Sequence, residues 1–456
     1  MRTLFVVLFA LLAVRQLWIV FVDGPALASN GHNPRRLKVS MGRGAIVARD
    51  GTPLAITRAG KRVYPLGALT AHAVGYASER YGTAGIEDAF DRFLTAPNGE
   101  AGIMAQLREI VSPAHDAPRG SDIITTLDVD VQRRLVENLR RYARAAGVVM
   151  DPRSGAVLAL ASVPAFDPNA LDRDFARLSV DRRSPLLDRS TAGLYPPGST
   201  FKIVTAADAL DAGVVTPQTL LVDNGGFAVG NFVVRDDEEE RTGTQTLVGA
   251  FALSSNVDFA QVGLKLGRDR WYQYADRWRL GQPLDFDVPA ARDRLPPKAQ
   301  VTDSVLAQLA FGQASLLVTP LRMALVASTI AHDGVVPRPY LVRSIAGRQT
   351  SIATRPEQLA TPISADTAHE VRDMMIAVVA RGTGTAAALP GVTVAGKTGT
   401  ATNPHGRSHA WFVAFAPAAA PRIAVAVVVE NVGYGGTYAA PIAKDVLRVA
   451  LDKQRS

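Results

Sequence analysis

In the segment Tyr195-Pro196-Pro197-Gly198-Ser199-Thr200-Phe201-Lys202, a hydroxyl and an amine stand three residues apart, just past two prolines and a glycine that stop the preceding chain. Ser199 opens a run containing Val204, Ala207 and Leu210, which predicts a helix ending at Gly213. Residues i and i+3 share a helix face, so the Lys202 amine can reach the Ser199 hydroxyl. A serine hydroxyl is a weak nucleophile until a base takes its proton. Lysine can be that base once burial, a second cation or the positive end of the helix dipole lowers its pKa. The plainer alternative makes Ser199 a helix N-cap and Lys202 a surface residue. No other lysine of the chain has a serine three residues before it.

Two further clusters carry related chemistry. Leu253-Ser254-Ser255-Asn256 leads into a helical run, Val257–Leu266, and is the only Ser-x-Asn in the sequence. Ser254 offers a hydroxyl that can pass a proton, and Asn256 an amide that both donates and accepts. A polar turn capping a helix is the plainer reading. Ala395-Gly396-Lys397-Thr398-Gly399-Thr400 closes a strand-like run, with glycines that let backbone or ligand approach. Lys397 is a second cation that could lower the pKa of Lys202 and attract a carboxylate. Thr398 and Thr400 add hydroxyl donors. The competing reading is an edge strand protected by its lysine.

The elements that must position these clusters follow from patterning. Val131, Leu135, Leu139 and Tyr142 recur at helical spacing. Gly147–Asp151 and Ala156–Ser162 read as two strands of a hairpin, and a helix-rich middle runs from about 199 to 380. Strands return at Val392–Ala401, Trp411–Ala416 and Ile423–Glu430, before a helix from about 440 to 452. Strands flanking a helical insert predict one antiparallel sheet with helices on its faces, an α+β fold. Residues 35–111 give short mixed segments with a helix over Ile86–Leu94, and 112–120 read as a linker.

The length of 456 residues allows two or three domains, and 47% hydrophobic against 20% charged residues predicts a globular bulk. There is no cysteine, which excludes disulfides, thiolate metal sites and a cysteine nucleophile. The net charge is +8, yet only 8 of the 50 basic residues are lysine. Arginine stays protonated whereas a buried lysine can act as a base, so each lysine merits a question. No basic run is interleaved with stacking aromatics, so nucleic acid is not an expected partner. Residues 3–22 are apolar apart from Arg15 and Gln16, long enough to span ~30 Å of hydrocarbon at ~1.5 Å per residue. We read this as an uncleaved anchor. Ala26-Leu27-Ala28 would be the A-x-A site of a cleaved signal peptide, but the apolar run resumes over Leu17–Val22. Arg15 in the span either snorkels or faces a partner helix. Asp236-Asp237-Glu238-Glu239-Glu240 reads as a solvated turn, and His405 and His409 have helical metal-ligand spacing but lie in a segment that Asn403-Pro404 and Gly406 make a turn, which does not suit a metal pair. The arginines at 133, 134, 140, 141 and 144 read as a solvated helix face.

Ser-x-x-Lys, Ser-x-Asn and Lys-Thr-Gly, in that order, are the signature of the penicillin-recognising serine enzymes. Pro-Pro-Gly-Ser-Thr-Phe-Lys and Lys-Thr-Gly-Thr-Ala resemble those of the class B penicillin-binding proteins, over about 35–456. Arg43-Gly44-Ala45-Ile46, Gly312-Gln313 before Val318-Thr319-Pro320, and Ala410-Trp411-Phe412 extend the resemblance. The short region before the catalytic part resembles the compact penicillin-binding protein A type. The resemblance implies residues 1–23 as tip and transmembrane anchor, 24–120 as a pedestal of interaction type, and 121–456 as a transpeptidase domain with an antiparallel sheet, helices on both faces and a helical subdomain. It implies D,D-transpeptidation of peptidoglycan stem peptides ending in D-Ala-D-Ala, acylation by β-lactam antibiotics, and no metal or organic cofactor. Ser199 would be the nucleophile, Lys202 its base, Ser254 a proton relay, and Asn256 a holder of Lys202 and a substrate amide. Lys397, Thr398, Gly399 and Thr400 would form the substrate-binding strand, with amides of Ser199 and Thr400 as oxyanion hole. The expected place is the cytoplasmic membrane of a bacterium, single-pass with the catalytic domain outside, beside a polytopic glycan polymerase. A D,D-carboxypeptidase, a β-lactamase and a β-lactam sensor share the motifs.

Overall fold

Valine and alanine fill the two strand regions of the chain almost without interruption, as they must in a sheet covered on both sides. A computed structural model describes residues 12, 15, 42–95, 119–236, 242–347, 351–403 and 406–453. Five strands form the central sheet: β1 (Ala145–Met150), β2 (Val157–Val163), β3 (Ala395–Ala401), β4 (His409–Ala416) and β5 (Ile423–Val429). Their order is β3-β4-β5-β1-β2, and every pairing is antiparallel. Alternation splits β5 between two cores. Ala424, Ala426 and Val428 join one cluster, while Val425, Val427 and Val429 join the other.

Helices α1 (Val129–Leu139) and α7 (Ala440–Lys453) cover the second face through Leu135, Leu139, Val446 and Leu447. Asp128 caps α1 by accepting from the Asp130 and Val131 amides. The helix stops at Leu139, so Tyr142 sits in the following turn instead of on the helix. The first face is covered by α5 (Pro320–Ala331), all of whose residues are buried, and by the helical region that carries the site. That region contains α2 (Lys202–Asp211), α3 (Leu247–Leu253), α4 (Asn256–Leu266) and α6 (Ala365–Arg381).

The N-terminal part builds a six-stranded mixed sheet. Its order runs Ser351–Ala353, Val342–Ala346, Asp122–Thr125, Ile46–Val47, Pro53–Arg58, Lys61–Val63, with Ile46–Val47 parallel to Asp122–Thr125. This sheet takes strands from both sides of residue 120. The expected helix over Ile86–Leu94 is broken at Phe90 into two four-residue helices, Ile86–Ala89 and Asp91–Leu94. The break leaves Glu87 fully buried between two guanidinium groups, Arg43 Nε and Arg62 Nε, each at 2.6 Å. Removing one partner of such a pair costs about 3–5 kcal/mol.

No helix among the described residues is long and apolar enough to cross a membrane. The anchor expected over 3–22 falls outside the described residues, apart from Leu12 and Arg15, which are helical and exposed. Most of the linker, to residue 118, lies outside them as well.

Candidate active site

The turn carrying Ser199 is shaped by Gly198. At φ +53° it occupies the left-handed region, and a Cβ there would stand 2.7 Å from the Thr400 carbonyl oxygen. Glycine therefore lets the turn lie directly against β3. The Gly198 amide donates to the Gly312 carbonyl at 2.9 Å, and Tyr195 pairs through its backbone with Val318. Ser199 then sits inside a 3₁₀ turn, Gly198–Phe201, that runs into α2. The turn has Pro197 in its capping position, so Ser199 is not a helix N-cap.

Lys202 is fully buried, which removes the surface-lysine reading. Its Nζ donates to the Ser254 carbonyl at 2.5 Å and to Asn256 Oδ1 at 2.8 Å, with Ser254 Oγ at 3.4 Å. The α3–α4 junction explains this convergence. Ser254 ends α3 with left-handed backbone (φ 68°, ψ 33°), and Ser255 caps α4 through the Asp258 amide. Left-handed conformation costs a non-glycine residue about 1–3 kcal/mol. Here it turns both the carbonyl and the hydroxyl of Ser254 toward buried amines. Lys397 completes the group: fully buried on edge strand β3, its Nζ donates to Ser254 Oγ at 2.8 Å and to the Thr398 carbonyl at 3.2 Å. Two amines thus meet at one hydroxyl. The Phe259 and Phe251 ring centroids lie 5.5 and 5.6 Å from the two Nζ atoms.

Strand β3 pairs with β4 on one side only among the described residues, leaving an edge for an extended ligand. A Cβ on Gly399 would stand 3.0 Å from the Pro197 carbonyl oxygen, so this glycine too sets the contact between β3 and the turn carrying Ser199. Thr398 Oγ1 and Thr383 Oγ1 are 2.5 Å apart. Ser199, Ser254, Thr398, Thr400, Asp236 and Tyr434 line a cleft of about 450 Å³. A larger cavity, about 830 Å³, lies between Arg49, Asp128, Arg153 and Lys453 and contains none of these groups. Chemistry, not size, identifies the site.

Every residue singled out in the three clusters is therefore gathered at one end of the sheet. Several others were not visible in the sequence. Glu430 accepts from Arg189 Nε (2.8 Å) and the Tyr195 hydroxyl (2.9 Å) and forms an ion pair with Arg144 Nε at 3.0 Å, and the Trp411 indole donates to the Pro196 carbonyl at 3.1 Å. This network pins the segment before Ser199. Burial, then the Glu430 carboxylate, pushes the Tyr195 phenol well above its ordinary value. Arg144, expected on a solvated face, is thus drawn into an ion pair. Asp236 turns inward from its acidic run and caps α4, accepting from the Asn256 and Val257 amides. Burial raises its pKa, and Lys202 opposes the shift. Asp258 is pushed up to about 6, mainly by burial. Among the described residues no group of three or more His, Asp or Glu could hold a metal ion. His409 lies buried on β4 and accepts from the Asn431 amide, while His405 falls outside the described residues.

Residues 145–448 match the model of the penicillin binding protein transpeptidase domain, and 43–123 that of the penicillin binding protein A dimerisation domain. The chain belongs to the penicillin-binding protein transpeptidase family. This penicillin-binding protein is 35% identical over 427 residues to the peptidoglycan D,D-transpeptidase PbpA of Mycolicibacterium smegmatis, covering 86% of this chain and 84% of the relative. It resembles penicillin-binding protein A from M. tuberculosis in its ceftriaxone acyl-enzyme complex, with TM-score 0.83, 31% identity, and coverage of 91% of this chain and 100% of the other. The D,D-transpeptidase domain of a peptidoglycan glycosyltransferase from Eggerthella lenta superposes with TM-score 0.82 at 34% identity, covering 91% and 99%. The class B character expected from the motifs and the compact penicillin-binding protein A type expected from the short pre-catalytic region are thus borne out.

Proposed function

We propose that this protein is a peptidoglycan D,D-transpeptidase that cross-links stem peptides through a Ser199 acyl-enzyme and is acylated at the same serine by β-lactams. One observation carries the reading: the Ser254 hydroxyl is held by both Lys202 and Lys397 inside the cleft that contains Ser199. Ser199 Oγ attacks the carbonyl of the penultimate D-Ala while Lys202 Nζ takes its proton, which requires Lys202 as the free amine at that moment. The oxyanion accepts from the backbone amides of Ser199 and Thr400, elements that Gly198 and Gly399 allow to touch. The C–N bond then breaks, the terminal D-Ala leaves as the amine with a proton relayed through Ser254, and an ester remains on Ser199. An amine of a neighbouring stem attacks that ester, gives up a proton along the same route, and restores the serine. Asn256 holds Lys202, while Lys397, Thr398 and Thr400 take the substrate carboxylate.

The test is intact mass after penicillin, followed by product analysis on a pentapeptide stem with an amine acceptor. A new amide to the acceptor is expected. Release of D-Ala with hydrolysis alone would replace this reading by a carboxypeptidase.

Residues 3–22 act as a single-pass anchor, residues 24–120 as an interaction pedestal and 121–456 as the catalytic unit, with the site on the extracytoplasmic side beside a polytopic glycan polymerase. The apolar run and its Arg15-Gln16 pair support this placement. Recovery of the protein from the soluble fraction with Ser29 as its N-terminus would refute the anchor.

A further inference from the structure

We propose that Asp236 is a positioning residue for acylation, which together with Arg235 fixes Asn256 so that its amide oxygen faces Lys202. The two residues follow the short strand Phe232–Val234 and meet the start of α4. Asp236 Oδ1 accepts from the Asn256 amide in a short hydrogen bond and from the Val257 amide at 3.2 Å, satisfying donors that a helix start leaves open. The neighbouring Arg235 carbonyl accepts from Asn256 Nδ2 at 3.2 Å. A carbonyl can only accept, so it selects the amide orientation in which Nδ2 points away from Lys202. The other end of that amide, Oδ1, is what meets Lys202 Nζ at 2.8 Å. One dipeptide thereby sets both the backbone position and the side-chain orientation of Asn256.

The carboxylate also has an electrostatic bearing on the site it lines. Lys202 faces it from α2, Asp258 from α4, and Asp223 from the strand Leu220–Asp223. Asp223 shares a hydrogen bond with Asp236 and also accepts from the Gly225 and Thr242 amides at 2.7 and 3.1 Å, while Asp258 accepts from Gln245 Nε2 at 2.7 Å. A negative Asp236 favours the charged form of Lys202, whereas the attack on substrate needs the amine. Burial, with a smaller contribution from the Asp223 hydrogen bond, raises the Asp236 pKa, which lessens this influence, and Lys202 opposes the shift. The neutral or ionised acid keeps an oxygen for the two backbone amides, so positioning survives either state.

The inference rests on Lys202 as the base, which Lys202→Arg tests separately with Asp236 intact. The experiment measures penicillin acylation by stopped flow against pH in the full chain, separating the non-covalent dissociation constant from the rate of bond formation. Asp236→Ala removes the acceptor, and loss of a buried partner for an amide is worth about 1–3 kcal/mol, so bond formation should slow roughly 10- to 100-fold with non-covalent affinity unchanged. Asp236→Asn keeps an acceptor but no charge. It should slow bond formation less than tenfold and move the acid limb of the profile to lower pH. An alanine variant within threefold of the parent, or an asparagine variant as slow as alanine, overturns the proposal. If the alanine variant does not fold, the asparagine variant decides alone, and a tenfold or greater loss in its rate of bond formation overturns the proposal.

Discussion

Replacing Lys202 by arginine separates two roles that a lysine can play. The Nζ has acceptors at 2.5 Å on the Ser254 carbonyl and 2.8 Å on Asn256 Oδ1, and a guanidinium has enough donors to meet both. Positive charge and most of the hydrogen bonding can therefore be kept. What is lost is the ability to give up a proton at any working pH. General-base assistance contributes a factor of ~10²–10⁴, equivalent to about 3–5 kcal/mol of barrier, and acylation should slow by that amount. Lys397→Arg should be milder, since a cation that binds a carboxylate can keep its proton. The assay is the second-order acylation rate with a fluorescent penicillin, from pH 5 to 10, for both variants. Because Lys202 is fully buried, the larger head group could disturb packing; Lys202→Met, which is close in volume, controls for that and should be equally slow. Near-parental acylation by the Lys202→Arg protein would show a fixed charge at this position, and the base would have to be another group.

Three other outcomes are expected. Ser199→Ala should abolish the penicillin adduct in intact mass while leaving thermal unfolding unchanged; an adduct elsewhere removes Ser199 as nucleophile. Gly198→Ala should destabilise the protein by about 1–3 kcal/mol in denaturant titration and slow acylation more than tenfold, because the methyl group forces the turn off β3 at a left-handed position (φ +53°). Asp258 is raised from 3.8 to about 6, so folding favours its protonated form, and stability present at low pH is lost as pH climbs between those values. Asp258→Asn should therefore match the parent near pH 3 and be more stable above pH 6, by up to about 3 kcal/mol. Equal stability at both ends would refute the shift.

The sequence showed what is local and missed what depends on distant contacts. Strands β1, β2, β4 and β5 were legible because unbroken Val and Ala runs leave few other solutions, and the observed ends differ by only a few residues. The three candidate clusters were legible because each spacing occurs once. The broken helix at Phe90 was not, since the break is imposed by Glu87 turning inward between Arg43 and Arg62, a contact more than forty residues long in sequence for Arg43. Nor was the pairing of Asp122–Thr125 with Val342–Ala346, because neither strand's pattern encodes its partner. Asp236 was hidden by its neighbours: five successive acids look solvated, and only the amides of α4 pick out the first of them.

The use of arginine and lysine in this chain follows one chemical rule inside the fold. The buried guanidinium groups of Arg43, Arg62, Arg189 and Arg322 all face carboxylates, on Glu87, Glu430 and Asp293, where a planar fork and a permanent charge suit the partner. Of the described lysines, only Lys202 and Lys397 are buried; positions 61, 265, 298 and 453 are exposed, and 444 is partly so. Among the described residues, the two buried amines donate to carbonyl, amide and hydroxyl oxygens at the α3–α4 junction and on β3, as the Lys202 base and Lys397 carboxylate-binding roles require. Asp236, which also faces Lys202, turns its oxygen to the helix start, and burial raises its pKa.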